Sequence, residues 1–323
     1  MKIVASLLLA CAVPLMAASV ASAEDYPARP VTFVVPFAPG GATDILGRLV
    51  GQKLTDRLGK TFVVENRPGA GTATAATQVS KAAPDGYTIM MATSGTMVHN
   101  PIIQKKLSYD PAKDLKLAAL ICHVPFVLVV NNDLPVHSVA DLLKLAKERK
   151  LSYGSGGVGA FHHLLGELFK SQFGLDMTHV PYRGTLPSLN DVIAGHIQVM
   201  FSDLAPAYPL IQAGKLRALG ITTAQPAASA PELRPLAEVG VPGFDWAAWQ
   251  TVAVPAATPK DITDKLNVAI NAAIAEPDVT KQLRSMQFIP VGKGTPEELD
   301  KFTKSEAARW AKVLTQAGVA GIE

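Results

Sequence analysis

The stretch Val31-Thr32-Phe33-Val34-Val35-Pro36-Phe37-Ala38-Pro39-Gly40-Gly41-Ala42-Thr43-Asp44 decides how the chain is read. Its first five residues form an apolar run between Pro30 and Pro36, the pattern of a short buried strand. Two adjacent glycines follow, and Thr43 or Asp44 then offers an N-cap to a helix predicted from about Ile45. A strand, a Gly-rich turn and a helix start in that order make an anion site. Unpaired backbone N–H groups point outward at the positive end of the helix dipole. Gly40 and Gly41 let a ligand approach the backbone closely. The expected ligand is a small carboxylate, with the rest of the chain supplying a second jaw.

Working outward, Ile45 to Leu58 carries apolar residues at 45, 46, 49, 50, 54 and 58, a helical period closed by Gly59. A strand is expected at Thr61–Glu65, a helix at Thr72–Ala82 and a strand at Tyr87–Ala92, followed by the polar loop Thr93-Ser94-Gly95-Thr96. This β-α-β-α-β order predicts a parallel sheet with helices on both faces, where ligands bind beyond the carboxyl ends of the strands. The pattern then recurs. The strand Phe126–Val130 and a Ser138-capped helix precede Leu151-Ser152-Tyr153, the turn Gly154-Ser155-Gly156-Gly157-Val158-Gly159 and a helix over Ala160–Phe173. Further strands are expected at Met177–Tyr182, Ile197–Phe201 and Arg217–Thr222. Arg183-Gly184 and Ser202-Asp203 stand just past the ends of the first two. Phe244–Val254 reads as a strand leaving this second lobe, with Trp246 and Trp249 packing at a hinge. Amphipathic helices at Pro259–Ala275 and Pro296–Ala317 return to cover the first lobe. Residues 24–125 and 248–323 are therefore expected to form lobe 1, and 126–247 lobe 2, with crossings near 125–130 and 245–250.

With 323 residues, 48% hydrophobic and 18% charged, the chain has an ordinary globular composition long enough for two lobes. A net charge of +3 without basic clustering points away from nucleic acid. Lys2, the apolar run Ile3–Val20 and Ala21-Ser22-Ala23 form a secretory leader, with cleavage expected after Ala23 and a periplasmic product. Leu8-Leu9-Ala10-Cys11 loosely matches a lipoprotein box, but the apolar run continues well past Cys11. Cys122 is the one cysteine left after cleavage. It cannot form an internal disulfide and reads as a small buried hydrophobe.

Three chemistries compete with simple binding. Gly154-x-Gly156-x-x-Gly159 matches a dinucleotide fingerprint, but the next predicted strand ends in Tyr182-Arg183, not in the acid a ribose needs. Ser155 with His162 or His163 suggests a hydrolase, yet Tyr153 occupies the first glycine position of a nucleophile elbow. The scattered His99, His123, His137, His179 and His196 lack metal-site spacing. No cofactor and no metal are expected. Arg183 could pair a carboxylate, and Asp203 could accept from an ammonium, a hydroxyl or a water; a surface arginine and a helix cap are their bland alternatives.

The ordered motifs R-P-V-T-F-V-V-P-F-A-P-G-G-A-T-D, V-V-E-N-R-P-G-A-G, P-D-G-Y-T, Y-G-S-G-G-V-G-A-F-H-H-L, V-P-Y-R-G and M-F-S-D resemble those of the Bug receptors. These are extracytoplasmic solute-binding proteins of tripartite tricarboxylate transporters. The resemblance runs from about Tyr26 to the C-terminus. It implies an α/β, two-lobed periplasmic binding protein of the type II, Venus-flytrap kind, with two crossover strands as hinge and no enzymatic activity. A ligand carboxylate would lie between Phe37, Ala38, Pro39, Gly40, Gly41, Thr43, Asp44, Ser94, Gly95 and Thr96 of one lobe and Ser155, Gly156, Gly157, Gly159, His162, Arg183, Gly184 and Asp203 of the other. The implied partners are a small organic acid and either membrane permease subunits or a sensor kinase, with the receptor a monomer. An exported hydrolase using Ser155 stays open as the rival.

Overall fold

A computed structural model describes residues 25–40, 42–316 and 318–321. The expected leader, Gly41 of the first turn and Ala317 at the end of the last predicted helix lie outside the described residues. β1 (Val31–Val35) pairs in parallel with β2 (Phe62–Asn66) on one side and β3 (Thr88–Thr93) on the other. Val31, Phe33, Val34 and Val35 are fully buried, as a continuous apolar strand covered on both faces should be. α1 (Ala42–Leu58) packs tightly on β1: a Cβ at Gly47 would stand 2.7 Å from the Val35 side chain. The helix begins at Ala42, so Thr43 and Asp44 lie within its first turn and are not its caps. α2 (Ala73–Ser80) follows β2. After β3 the expected polar loop is instead helical: a wide π-turn at Gly95–His99 runs into α3 (Asn100–Ile103). α4 (Pro111–Asp114) is capped by Asp110, which accepts from the Ala112 N–H at 3.1 Å.

The next strand organises the molecule. β4 (Leu115–Asn131) is one 17-residue strand, of which the sequence pattern revealed only the last third. Pro125 reads as a break, because proline lacks the N–H that a central ladder needs. It is tolerated because the partners change there: Pro125 is the last residue paired with β9, and Phe126 the first paired with β7. Beyond β4 come α5 (Val139–Glu148), β5 (Leu151–Ser155), α6 (Phe161–Phe173), β6 (Met177–Pro181), α7 (Thr185–Ile193), β7 (Val199–Asp203), α8 (Leu204–Gln212) and β8 (Leu216–Ile221). As predicted, the Ser138 hydroxyl caps α5, accepting from the Asp141 N–H at 3.1 Å. β9 (Ala247–Pro255), α9 (Lys260–Ile274), α10 (Pro277–Ser285), β10 (Ile289–Pro290) and α11 (Pro296–Gln316) complete the chain; α10 and β10 carried no clear pattern in the sequence.

Two mixed sheets result, sharing β4. The first runs β2-β1-β3-β9-β4, with β10 on the outer edge; the second runs β6-β5-β7-β4, with β8 on the outer edge. The parallel strands expected from the β-α-β pattern are present, but β9 and β4 are antiparallel insertions. Each sheet is a lobe. α9 packs on β4 and α1, whereas α11 packs on β4 and also reaches α6 of the second lobe. That bridge is aromatic: Trp310 of α11 lies 5.3 Å from Phe161 and 4.5 Å from both His99 and Trp246. Trp246 and Trp249 are buried at the crossover, as expected.

Candidate ligand cleft

β4 acts as a ruler that places the two halves of the site. β3 runs towards the crossover and ends with Thr93 opposite Gln250, which in turn pairs with Cys122 of β4. β7 runs towards the crossover from the other side and ends with Asp203 opposite Phe126. Cys122 and Phe126 are four residues apart, about 13 Å along a strand. The carboxyl ends of β3 and β7 therefore face each other across the crossover.

In the first lobe, Phe37, Ala38, Pro39 and Gly40 are exposed at the lip, and Gly40 takes a φ of 85°, which glycine allows without strain. Its amide is not free. Gly40 N–H donates to Asp44 Oδ2 at 2.9 Å, and the same carboxylate accepts from Asn66 Nδ2 at 2.8 Å and Arg48 Nε at 3.0 Å. Burial alone would raise the Asp44 pKa, but the bonds from Arg48, Gly40 and Asn66 hold it below the ordinary carboxylate range. Asp44 thus latches the turn. Thr43 accepts from Gln250 Nε2 at 3.2 Å. Ser94 and Thr96 are buried and Gly95 is half-buried. The Thr96 hydroxyl lies 2.9 Å from that of Thr72 and 3.3 Å from that of Thr93, and Asn100 and Tyr109 complete the network. Thr72, read from the sequence only as the start of a helix, holds a φ of 84°, rare for a residue with a β-branch. The signal for it was the turn Asn66-Arg67-Pro68-Gly69-Ala70-Gly71, which also follows the carboxyl end of a strand.

In the second lobe, the turn after β5 presents Gly156, Gly157 and Gly159, all half-buried. Ser155 is fully buried beneath them. Its hydroxyl lies 2.6 Å from His179 Nε2, accepts from the Gly157 N–H at 3.1 Å and is 3.0 Å from the Gly157 carbonyl. The partner of Ser155 is thus neither His162 nor His163, the pair a hydrolase reading would need, but His179, which β6 brings alongside in parallel register. His163 instead stacks on His179 at 4.0 Å and accepts from the Gly159 N–H at 3.1 Å. Burial, aided by His163, pushes the His179 pKa down to about 4, so the ring is neutral at pH 7.

His162 and Asp203 do come together. His162 Nε2 is 2.8 Å from Asp203 Oδ2, and the Thr185 hydroxyl donates to the same oxygen at 2.7 Å. Burial works to raise the Asp203 pKa, but His162 and Thr185 overcome it and keep the carboxyl below its usual range. His162 packs edge-on against Phe126 at 5.3 Å and under Gly156, where a Cβ would come 3.2 Å from its ring. Arg183 is exposed, and Gly184 holds a φ of 132° ahead of α7. Thr185 was missed because the sequence pattern suggests a helix only from Ser188 to about Ala194, whereas α7 starts three residues earlier. Among the described residues no cluster of three His, Cys, Asp or Glu side chains is arranged to hold a metal.

A model of the tripartite tricarboxylate transporter family receptor matches residues 46–319. The chain belongs to this receptor family. R. palustris Rpa4515, solved with adipate, is 40% identical, superposes with a TM-score of 0.84 and is matched over 92% of this chain and 99% of its own. MatC from Rhodopseudomonas palustris, solved with bound malate, is 31% identical with a TM-score of 0.80, over 90% and 100% of the two chains. Protein BugT of Bordetella pertussis is 32% identical over 300 residues, 92% of each chain. The Bug resemblance and the two-lobed binding-protein architecture read from the sequence both hold.

Proposed function

We propose that this receptor clamps a small organic carboxylate between its lobes in the periplasm and delivers it to a membrane transporter of the tripartite tricarboxylate type. The opposition of the two strand-end faces along β4 carries this reading. The likeness to proteins solved with adipate and malate supports the ligand class.

The two faces divide the work. The first supplies the N-terminus of α1, with Asp44 engaged by Gly40, Asn66 and Arg48, and a floor rich in hydroxyls that can donate to a carboxylate. The second supplies the glycine turn braced from below by Ser155, and the exposed Arg183 as a further cation. Asp203 stays ionised, so it repels a carboxylate directly. Its part is to orient His162 and Thr185 and to accept from a hydroxyl or ammonium where a ligand carries one. Ligand contacts available only in the closed form shift the lobes towards closure, the state a membrane partner reads. A hydrolase reading is disfavoured because the Ser155 hydroxyl is buried and engaged on three sides.

A thermal-shift screen of residues 24–323 against mono-, di- and tricarboxylates tests the proposal. A ligand at about 100 times its Kd stabilises by about 2.7 kcal/mol and raises the melting temperature clearly. Silence across all acid classes contradicts it, as does ester or amide turnover that Ser155→Ala abolishes.

A further inference from the structure

β4 changes partners near the crossover: β10 pairs with it at Cys122 and His123, and β8 from Val127. A cavity of about 460 Å³ opens between β10 and the segment that follows β8. One wall comes from the first lobe (Trp249, Arg284, Phe288 and Pro290), and the other from the segment after β8, including Pro226 and Ser229. Both lobes line it, so its shape changes when they rotate about β4 and β9.

The charges around the cavity are unequally committed. Asp245 accepts from the Ala224 N–H at 2.9 Å, and Glu306 from the Trp249 indole at 3.4 Å. Arg309 is stacked 3.8 Å over Trp246 and donates to the Asp245 carbonyl at 2.6 Å. Arg284 is exposed, and among the described residues it forms no ion pair. Glu306 faces Arg309 at 3.7 Å, so Arg284 is the cation of this lining that no acid holds, and it stands next to Phe288 and Pro290; Asp245 is the acid bonded only by a neutral amide. The rim is also built to span the lobes. Gln287 ends the turn after α10 with a φ of 64°, a conformation in which glycine is the usual residue. Here the side chain is used: Ser229 donates to Gln287 Oε1 at 2.5 Å, joining one lobe to the other.

We propose that this crevice is a second small-molecule site, for a monocarboxylate with a flat apolar body, separate from the cleft and coupled to lobe closure. The carboxylate pairs with Arg284 and the body lies on Phe288 and Pro290. A cavity of this volume, lined by apolar and polar side chains in about equal measure, is large enough to hold a small ligand. An occupant touching both lobes biases their equilibrium, and by reciprocity its own affinity depends on the state of the cleft.

Benzoate is the probe, titrated by ligand-observed NMR against the chain from residue 24, with Arg284→Glu as the variant. Arg284 lies outside the cleft and is exposed, so the variant keeps its fold, with a melting temperature lowered by no more than a few degrees by the charge reversal in the last turn of α10. Benzoate is expected to bind at millimolar concentration, to weaken at least about tenfold in Arg284→Glu, and to bind together with a cleft acid. No binding, binding indifferent to Arg284→Glu, or simple displacement by adipate or malate would overturn the proposal. If no acid engages the cleft while benzoate still depends on Arg284, the crevice stands and the cleft reading alone fails.

Discussion

Asp44 and Asp203 show how little a residue type says about its partner. Asp44 stands in the first turn of α1 and Asp203 at the end of β7, and each is engaged by the protein's own donors. Asp44 holds Gly40, Asn66 and Arg48, so Asp44→Ala strands donors that shaped the turn. The expected loss is about 2 kcal/mol, read as a lower midpoint in urea, together with weaker acid binding. Asp203 has a depressed folded pKa, so its contribution to stability is complete above its unfolded value, about 4, and fades as pH falls through the folded value. Asp203→Asn should therefore flatten the acid limb of melting temperature against pH below about pH 4, and leave the limb above pH 5 parallel to that of the wild type. Ser155→Ala removes the brace under the glycine turn. Modestly weakened ligand binding with the fold retained is expected, and unaltered affinity would show the brace to be dispensable.

At the scale of elements, the strands with continuous apolar runs and the helices with clear 3.6-residue periods were legible. β1, α5, α6 and α9 fall within a few residues of their expected spans. What was hidden depends on tertiary context. The length of β4 was masked by Pro125, whose missing N–H matters only if the ladder needs it there. The helical turn after Thr93 was masked by Ser, Gly and Thr, which favour loops until a hydroxyl network fixes them. The site was legible as a set of strand-end turns. Its wiring was not, since Ser155 meets His179 and Asp203 meets Thr185 only through the alignment of β5, β6, β7 and α7. Gly154 illustrates such alignment: a Cβ there would stand 2.1 Å from Ser188 Oγ and 2.4 Å from Ile197 Cδ1. Gly154→Ala should cost about 2 kcal/mol by forcing α7 away from β5, measured as a drop in melting temperature, and should weaken binding through the displaced Thr185.

For the whole molecule, one strand shared by two sheets sets two strand-end faces opposite each other. β4 and β9 fix the distance at the crossover, while Phe161 on α6 leans against Trp310 and His99 of the other lobe. Phe37 and Ile45 on one lip and Val158 and Leu186 on the other are exposed apolar side chains, and closure would remove them from water together. Hydrogen exchange with and without the acid that raises the melting temperature most directly tests whether the ligand is held between the lobes. The account predicts simultaneous protection of residues 36–46 in the first lobe and of 155–160 and 183–186 in the second. Protection confined to one lobe, or found only around residues 284–290, would contradict it.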